Sequence, residues 1–128
     1  MPPALHVFEY AVLRVVPRVE RAEFLNVGVV LLCRAQGFLQ VRFQLPEARL
    51  RALFGELDLP DLAARLGAFE HICRGRAQGG PIGQLPLAER FRWLTATRST
   101  VVQTSPVHPG LSADAAQTLN WLFAQLVE

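Results

Sequence analysis

From Leu25 to Cys33 the chain reads Leu-Asn-Val-Gly-Val-Val-Leu-Leu-Cys, and from Val27 onward this is its longest uninterrupted apolar run. A run this short, rich in β-branched residues and preceded by polar turn formers, is a buried strand, covered on both faces or central in its sheet. It falls far short of the roughly 20 apolar residues that a membrane-spanning helix needs. Before it, Leu5 to Val16 is rich in Val, Phe, Tyr and Leu and is closed by Pro17, which reads as a long first strand. The two are expected to pair as an antiparallel hairpin. After the turn Arg34-Ala35-Gln36-Gly37, the alternation of Leu39, Val41 and Phe43 with Gln40 and Arg42 marks a half-buried third strand.

The rest of the chain has helical period. Pro46 suits the first turn of a helix with Leu50, Leu53 and Phe54 on its apolar edge and Gly55 at its end. Asp58 is the expected N-cap of a second helix, with Leu59, Leu62, Leu66, Phe69 and Cys73 along one face and Asp61–Arg65 and Glu70–Arg74 as pairs four residues apart. The glycine-rich segment Arg76 to Pro86 is the expected exposed loop. A helical turn over Leu87 to Leu94, a fourth strand over Arg98 to Thr104 and a rigid connector, Ser105 to Gly110, precede a last helix capped by Ser112. Its stripe is Leu119, Leu122, Phe123 and Leu126. The predicted fold class is α+β: one domain over residues 1–128, with a largely antiparallel sheet of about four strands, a three-stranded meander plus one later strand, and helices packed on one face. A chain of 128 residues buries roughly two-thirds of its unfolded surface and forms a core without disulfides or metal.

Composition narrows function by exclusion. The net charge of +2 gives little long-range attraction to nucleic acid or membrane. The amino terminus has no secretory-signal pattern, so a cytoplasmic location is expected, and there Cys33 and Cys73 remain reduced as small buried side chains. All thirteen basic residues are arginine, which favours bidentate contact with carboxylate or phosphate where one is structured, although a GC-rich coding sequence gives the same bias. No phosphate loop, dinucleotide fingerprint or nucleophile elbow is present. His71 and Cys73, two apart on a helix, point in different directions, so neither a metal site nor an activated thiolate is expected, and no cofactor is implied.

Arg14-Val15-Val16-Pro17 and Arg21-Ala22-Glu23-Phe24-Leu25-Asn26-Val27-Gly28, with a weaker echo in Arg90-Phe91-x-x-Leu94 and in residues 99–102, resemble the bacterial family catalogued as domain of unknown function 3037. That family has no assigned activity. The resemblance implies an accessory role, with a HipA-like kinase as one partner class.

Three sets of residues are candidates for function. Arg14, Arg21, Glu23, Asn26 and Gly28 converge at one rim if the first two strands pair. There they form either an anion or docking site, with Gly28 allowing close approach, or an ion-pair network in which Gly28 makes a bulge or admits a neighbouring element. Arg74 and Arg76 with Arg90, Arg92 and Trp93 bracket the glycine-rich loop with charge and aromatic surface, the parts with which single-stranded nucleic acid is bound. Phe91 at core spacing argues against that use. Trp121 lies off the stripe of the last helix and is an interface anchor if exposed, or a cover for a neighbouring loop. The expectation is a non-catalytic protein-interaction module, acting as a homodimer or with another protein, with anion or nucleic-acid binding as the alternative.

Overall fold

The computed structural model describes residues 3–75 and 77–128. Strands β1 (His6–Val15), β2 (Leu25–Cys33) and β3 (Phe38–Phe43) form the meander, and helices α1 (Glu47–Phe54) and α2 (Leu59–Arg74) follow it. The glycine-rich segment folds into a turn and a single-turn helix, α3 (Gly80–Gly83), before α4 (Leu87–Leu94). Strands β4 (Val102–Thr104) and β5 (His108–Ser112) then lead to α5 (Ala115–Leu126). The sheet is antiparallel throughout, in the order β3-β2-β1-β4, with β5 also on β1.

The α+β class and the meander agree with expectation, while the later part of the sheet differs. The expected fourth strand shortens to Val102–Thr104, and the expected connector contains a fifth strand. β4 pairs with the end of β1 and β5 with its beginning, so the two act as one interrupted strand. Ser105, 2 % exposed, bridges the interruption. Its N–H donates to the Val12 carbonyl at 2.8 Å, and its Oγ accepts from the Val12 N–H at 2.8 Å in place of the missing ladder carbonyl.

The helices do not share one face, which corrects the expectation. Ala11, Leu13, Val15, Val30 and Leu32 pack beneath α1, α2 and α4, whereas Val29, Leu31 and Cys33 pack beneath α5. The reason is that β1 and β2 are apolar at successive positions, and period-2 geometry sends those side chains to opposite sides, so both need cover.

A bulge sits in β2. Leu13 is opposite Gly28 but Arg14 is opposite Asn26, leaving Val27 as an extra residue. Val27 and Val30 therefore join the same core cluster although they are three positions apart, a spacing that puts residues of a regular strand on opposite faces. The phase change turns Asn26 away from α1 and toward α5. Gly28 is required here because a Cβ would lie 2.8 Å from both the Arg42 carbonyl oxygen and Phe43 Cβ.

Helix ends follow the local chemistry. Asp58 caps α2 by accepting from the Asp61 N–H at 3.0 Å. Asp114, rather than Ser112, is the N-cap of α5, and Ser112 Oγ instead accepts from the Asp114 N–H. Gln36, in the turn between β2 and β3, seats α5: its amide accepts from the Ala115 N–H at 2.9 Å and donates to the Ala113 carbonyl at 2.8 Å. No helix among the described residues is long and apolar enough to cross a membrane.

Candidate functional site

Pairing of β1 with β2 makes Arg14 and Asn26 direct cross-strand partners, with Gln103 of β4 on the other side of Arg14. The Arg14 guanidinium lies 4.1 Å from the centre of the Phe24 ring. Asn26 Nδ2 donates to the Leu126 carbonyl at 3.2 Å, which ties β2 to the C-terminal end of α5. Arg14 Nε and Asn26 Oδ1 are buried and, among the described residues, have no hydrogen-bond partner, and no carboxylate lies within ion-pair distance of Arg14. The stacked ring holds the Arg14 guanidinium in one orientation.

The other rim residues lie apart from this pair. Arg21 and Glu23 form an exposed ion pair, which raises the Arg21 pKa through the hydrogen bond and charge of Glu23. With Pro17 and Arg18 they flank a shallow cleft against Leu53 and Phe54 of α1. Gly28 offers no space to a ligand, because β3 is the element that approaches it. The five motif residues thus divide into a polar pair facing α5, a loop ion pair facing α1, and a glycine that permits strand packing.

The second set also divides. Arg90 Nε donates to the Leu85 carbonyl at 2.9 Å, and its Nη1 donates to those of Ile72 at 2.9 Å and Cys73 at 2.8 Å. The last two belong to the end of α2, where Gly75, with φ +70°, completes a left-handed cap. Arg90 is therefore a staple between α2, the following turn and α4, with its Nε and Nη1 donors committed to backbone carbonyls instead of free for phosphate. Arg74 pairs with Glu70. Arg92 is exposed, and Arg76 lies outside the described residues. Trp93 is 41 % exposed, with the Arg98 guanidinium 4.3 Å from its ring centre.

Trp121 is 62 % exposed on α5, so it does not cover a neighbouring loop. Other surface features have no clear mark in the sequence. On the α1/α2 face, Val7 and Leu111 are paired across β1 and β5 and are 63 % and 64 % exposed, with Leu5 beside them. The same face of β1 is wholly buried at Ala11, Leu13 and Val15. The alternation of β1 signals an apolar stripe at these positions, but where the helices stop covering it depends on packing. A groove of about 490 Å³ also runs along β3, between residues 39–43 and the last turns of α2.

Cys73 lines that groove but is 6 % exposed, and burial pushes its thiol pKa up to about 12. It is a neutral apolar group at physiological pH. Among the described residues, no group of three His, Cys, Asp or Glu side chains is placed to hold a metal ion.

No curated protein and no solved structure matches this chain. A family model does match it, over residues 10–127, from the middle of β1 to the end of α5, and so takes in the Arg14–Asn26 pair, the bulge and the helices on both faces. The chain accordingly belongs to the family described as protein of unknown function DUF3037.

Proposed function

We propose that this protein is a non-catalytic interaction module that docks onto another protein through the uncovered end of its sheet. The observation that carries this reading is the Val7–Leu111 pair. Two large apolar side chains, each more than 60 % exposed and adjacent across a strand pair, share a face of β1 with the core residues Ala11, Leu13 and Val15, from which the half-buried Glu9 separates them. A contiguous apolar patch of this kind is costly to leave in water and is typical of protein-binding surface. Glu9, opposite Pro109, adds a polar margin. The family resemblance suggests a HipA-like kinase as the partner to try first.

The test is sedimentation of the purified protein alone and mixed with a HipA-like kinase, comparing wild type with a Val7→Ser/Leu111→Ser variant. The expected result is a complex that the double variant weakens while its unfolding midpoint holds. A kinase complex equally strong in the variant overturns the sheet-end assignment, and a wild-type protein that neither self-associates nor binds the kinase overturns this reading of the module.

Arg14 supports a second reading, anion binding, because its guanidinium is oriented by Phe24 and, among the described residues, has no carboxylate partner. Titration with a single-stranded oligonucleotide over a range of salt tests it. Phosphate contact requires affinity that falls steeply with salt and drops in Arg14→Gln.

A further inference from the structure

β3 is the last strand of the sheet, and its free side faces the groove walled by Glu70, Cys73 and Arg74 of α2. The phase of its backbone follows from one hydrogen bond. The Gln44 N–H donates to the Val27 carbonyl at 2.9 Å, so residue 44 faces β2. In an antiparallel ladder the inward positions recur every second residue, which makes Phe38, Gln40 and Arg42 inward as well. The Arg42 carbonyl oxygen, lying against Gly28 of β2, agrees with this phase.

The N–H and C=O groups of Leu39, Val41 and Phe43 therefore point into the groove, and among the described residues no hydrogen bond is made to them from outside the sheet. Natural sheets usually blunt such an edge with proline, a bulge or a covering element. β3 has no proline, and its register with β2 is unbroken from Phe38 to Phe43. On the opposite edge β5 carries Pro109, and a bend at Ser105 separates it from β4.

We infer that this groove binds an extended peptide segment of a partner protein, which adds as an antiparallel strand to β3. A free ladder beside a helix supplies both parts of strand addition: backbone hydrogen bonds for affinity and a wall against which alternate side chains are sorted. Peptide residues opposite Leu39, Val41 and Phe43 take the face toward α2 and meet those apolar side chains with Cys73. Residues opposite Gln40 and Arg42 take the α5 face, where Arg42 is held by Asn120 at 2.7 Å, stacks over Phe123 at 4.4 Å and has the exposed Glu128 carboxylate at 3.8 Å, an ion pair a peptide carboxylate would share or displace. An acidic residue suits the position opposite Arg42. The occupant is thus a single strand with β-branched apolar residues at alternate positions and an acidic residue between the first two. This docking is independent of the Val7–Leu111 patch, which lies at the other edge.

The probe is the blocked pentapeptide acetyl-Val-Glu-Val-Thr-Val-amide, titrated into isotope-labelled protein and followed through backbone amide resonances. Saturable shifts are expected at Leu39, Val41 and Phe43. N-methylation of the central valine removes a donor that faces β3 and is expected to weaken binding by about tenfold or more, while N-methylation of the threonine, whose N–H faces away, leaves affinity within about threefold. The Val7→Ser/Leu111→Ser protein is expected to bind the peptide as wild type does, so this result is read separately from docking at the sheet end. No saturable shift up to millimolar peptide, equal affinity for both N-methylated peptides, or shifts confined to other strands would overturn the inference. So would a mass measurement in which two copies of the protein close the groove against each other.

Discussion

Replacing Gly28 with alanine tests the strand packing on which both β3 and its groove depend. The new Cβ would stand 2.8 Å from the Arg42 carbonyl oxygen and 2.8 Å from Phe43 Cβ, with Phe43 Cα at 3.2 Å. Ordinary carbon contacts lie near 3.5–4.0 Å, so β3 must retreat from β2 by roughly 0.7 Å or more. The obstruction includes backbone, not the mobile end of a side chain, so rotamer changes cannot relieve it. Overpacking costs about 1–3 kcal/mol, and a retreat of that size weakens one or two ladder hydrogen bonds at about 1 kcal/mol each. Lower chain entropy in unfolded alanine returns about 0.5–1 kcal/mol. The expected net loss is about 2–4 kcal/mol. Gly67→Ala is the matched control: this glycine lies within α2, and its Cβ would meet nothing within 4 Å. The same chemical change there should stabilise by about 0.5–1 kcal/mol through helix propensity. Urea unfolding followed by tryptophan fluorescence measures both. If Gly28→Ala unfolds at the wild-type midpoint with an unchanged m-value, β2 and β3 are not in the contact described, and the groove loses its basis.

Three further outcomes follow from individual contacts. Arg90→Met keeps most of the aliphatic packing but removes donors from three carbonyls, so a loss of about 2–4 kcal/mol in urea unfolding is expected, with Arg90→Lys recovering less than half because an ammonium cannot span Leu85 and Ile72 together. Ser105→Ala should cost about 1–3 kcal/mol and specifically accelerate hydrogen exchange at the Val12 amide, since that N–H loses its acceptor; an unchanged Val12 rate would contradict the bridging role. Burial holds the Cys73 thiol neutral to about 12 in the fold against an ordinary value of 9.0, so the stability it contributes is whole below pH 9 and is lost as pH rises toward about 12. Above pH 9, wild-type stability should accordingly fall faster than that of Cys73→Ala, by about 1.4 kcal/mol per pH unit, and parallel curves would show that the thiol is not shielded.

Much of the fold was legible in the chain itself. The apolar run after Asn26, the alternation in Leu39 to Phe43 and the three- and four-residue spacing from Leu59 to Cys73 are local patterns, and period alone determines which element forms. Asp58 and Gly75 also announce the ends of α2, because capping needs only a side-chain oxygen or a residue that accepts positive φ. The pairing of Arg14 with Asn26 followed from a hairpin. The Arg21–Glu23 ion pair and the close packing at Gly28 were also among the readings open from sequence, whereas the turn of Asn26 toward α5 was not, since it arises from a bulge that reverses which side of the sheet Asn26 faces.

Tertiary structure decided what the candidate surfaces are. Arg90 and Arg92 look equivalent in sequence, yet one is fastened to the end of α2 and the other is exposed, because a guanidinium goes wherever unpaired carbonyls lie within reach. Val7 and Leu13 are both apolar positions on one strand, but α1, α2 and α4 cover only the second. The outward ladder of β3 has no signature in side chains, because it consists of backbone groups common to every strand. Sequence determines which segments become strands and helices because those preferences are local; which backbone edge and which apolar side chains remain uncovered is determined only when the elements pack together.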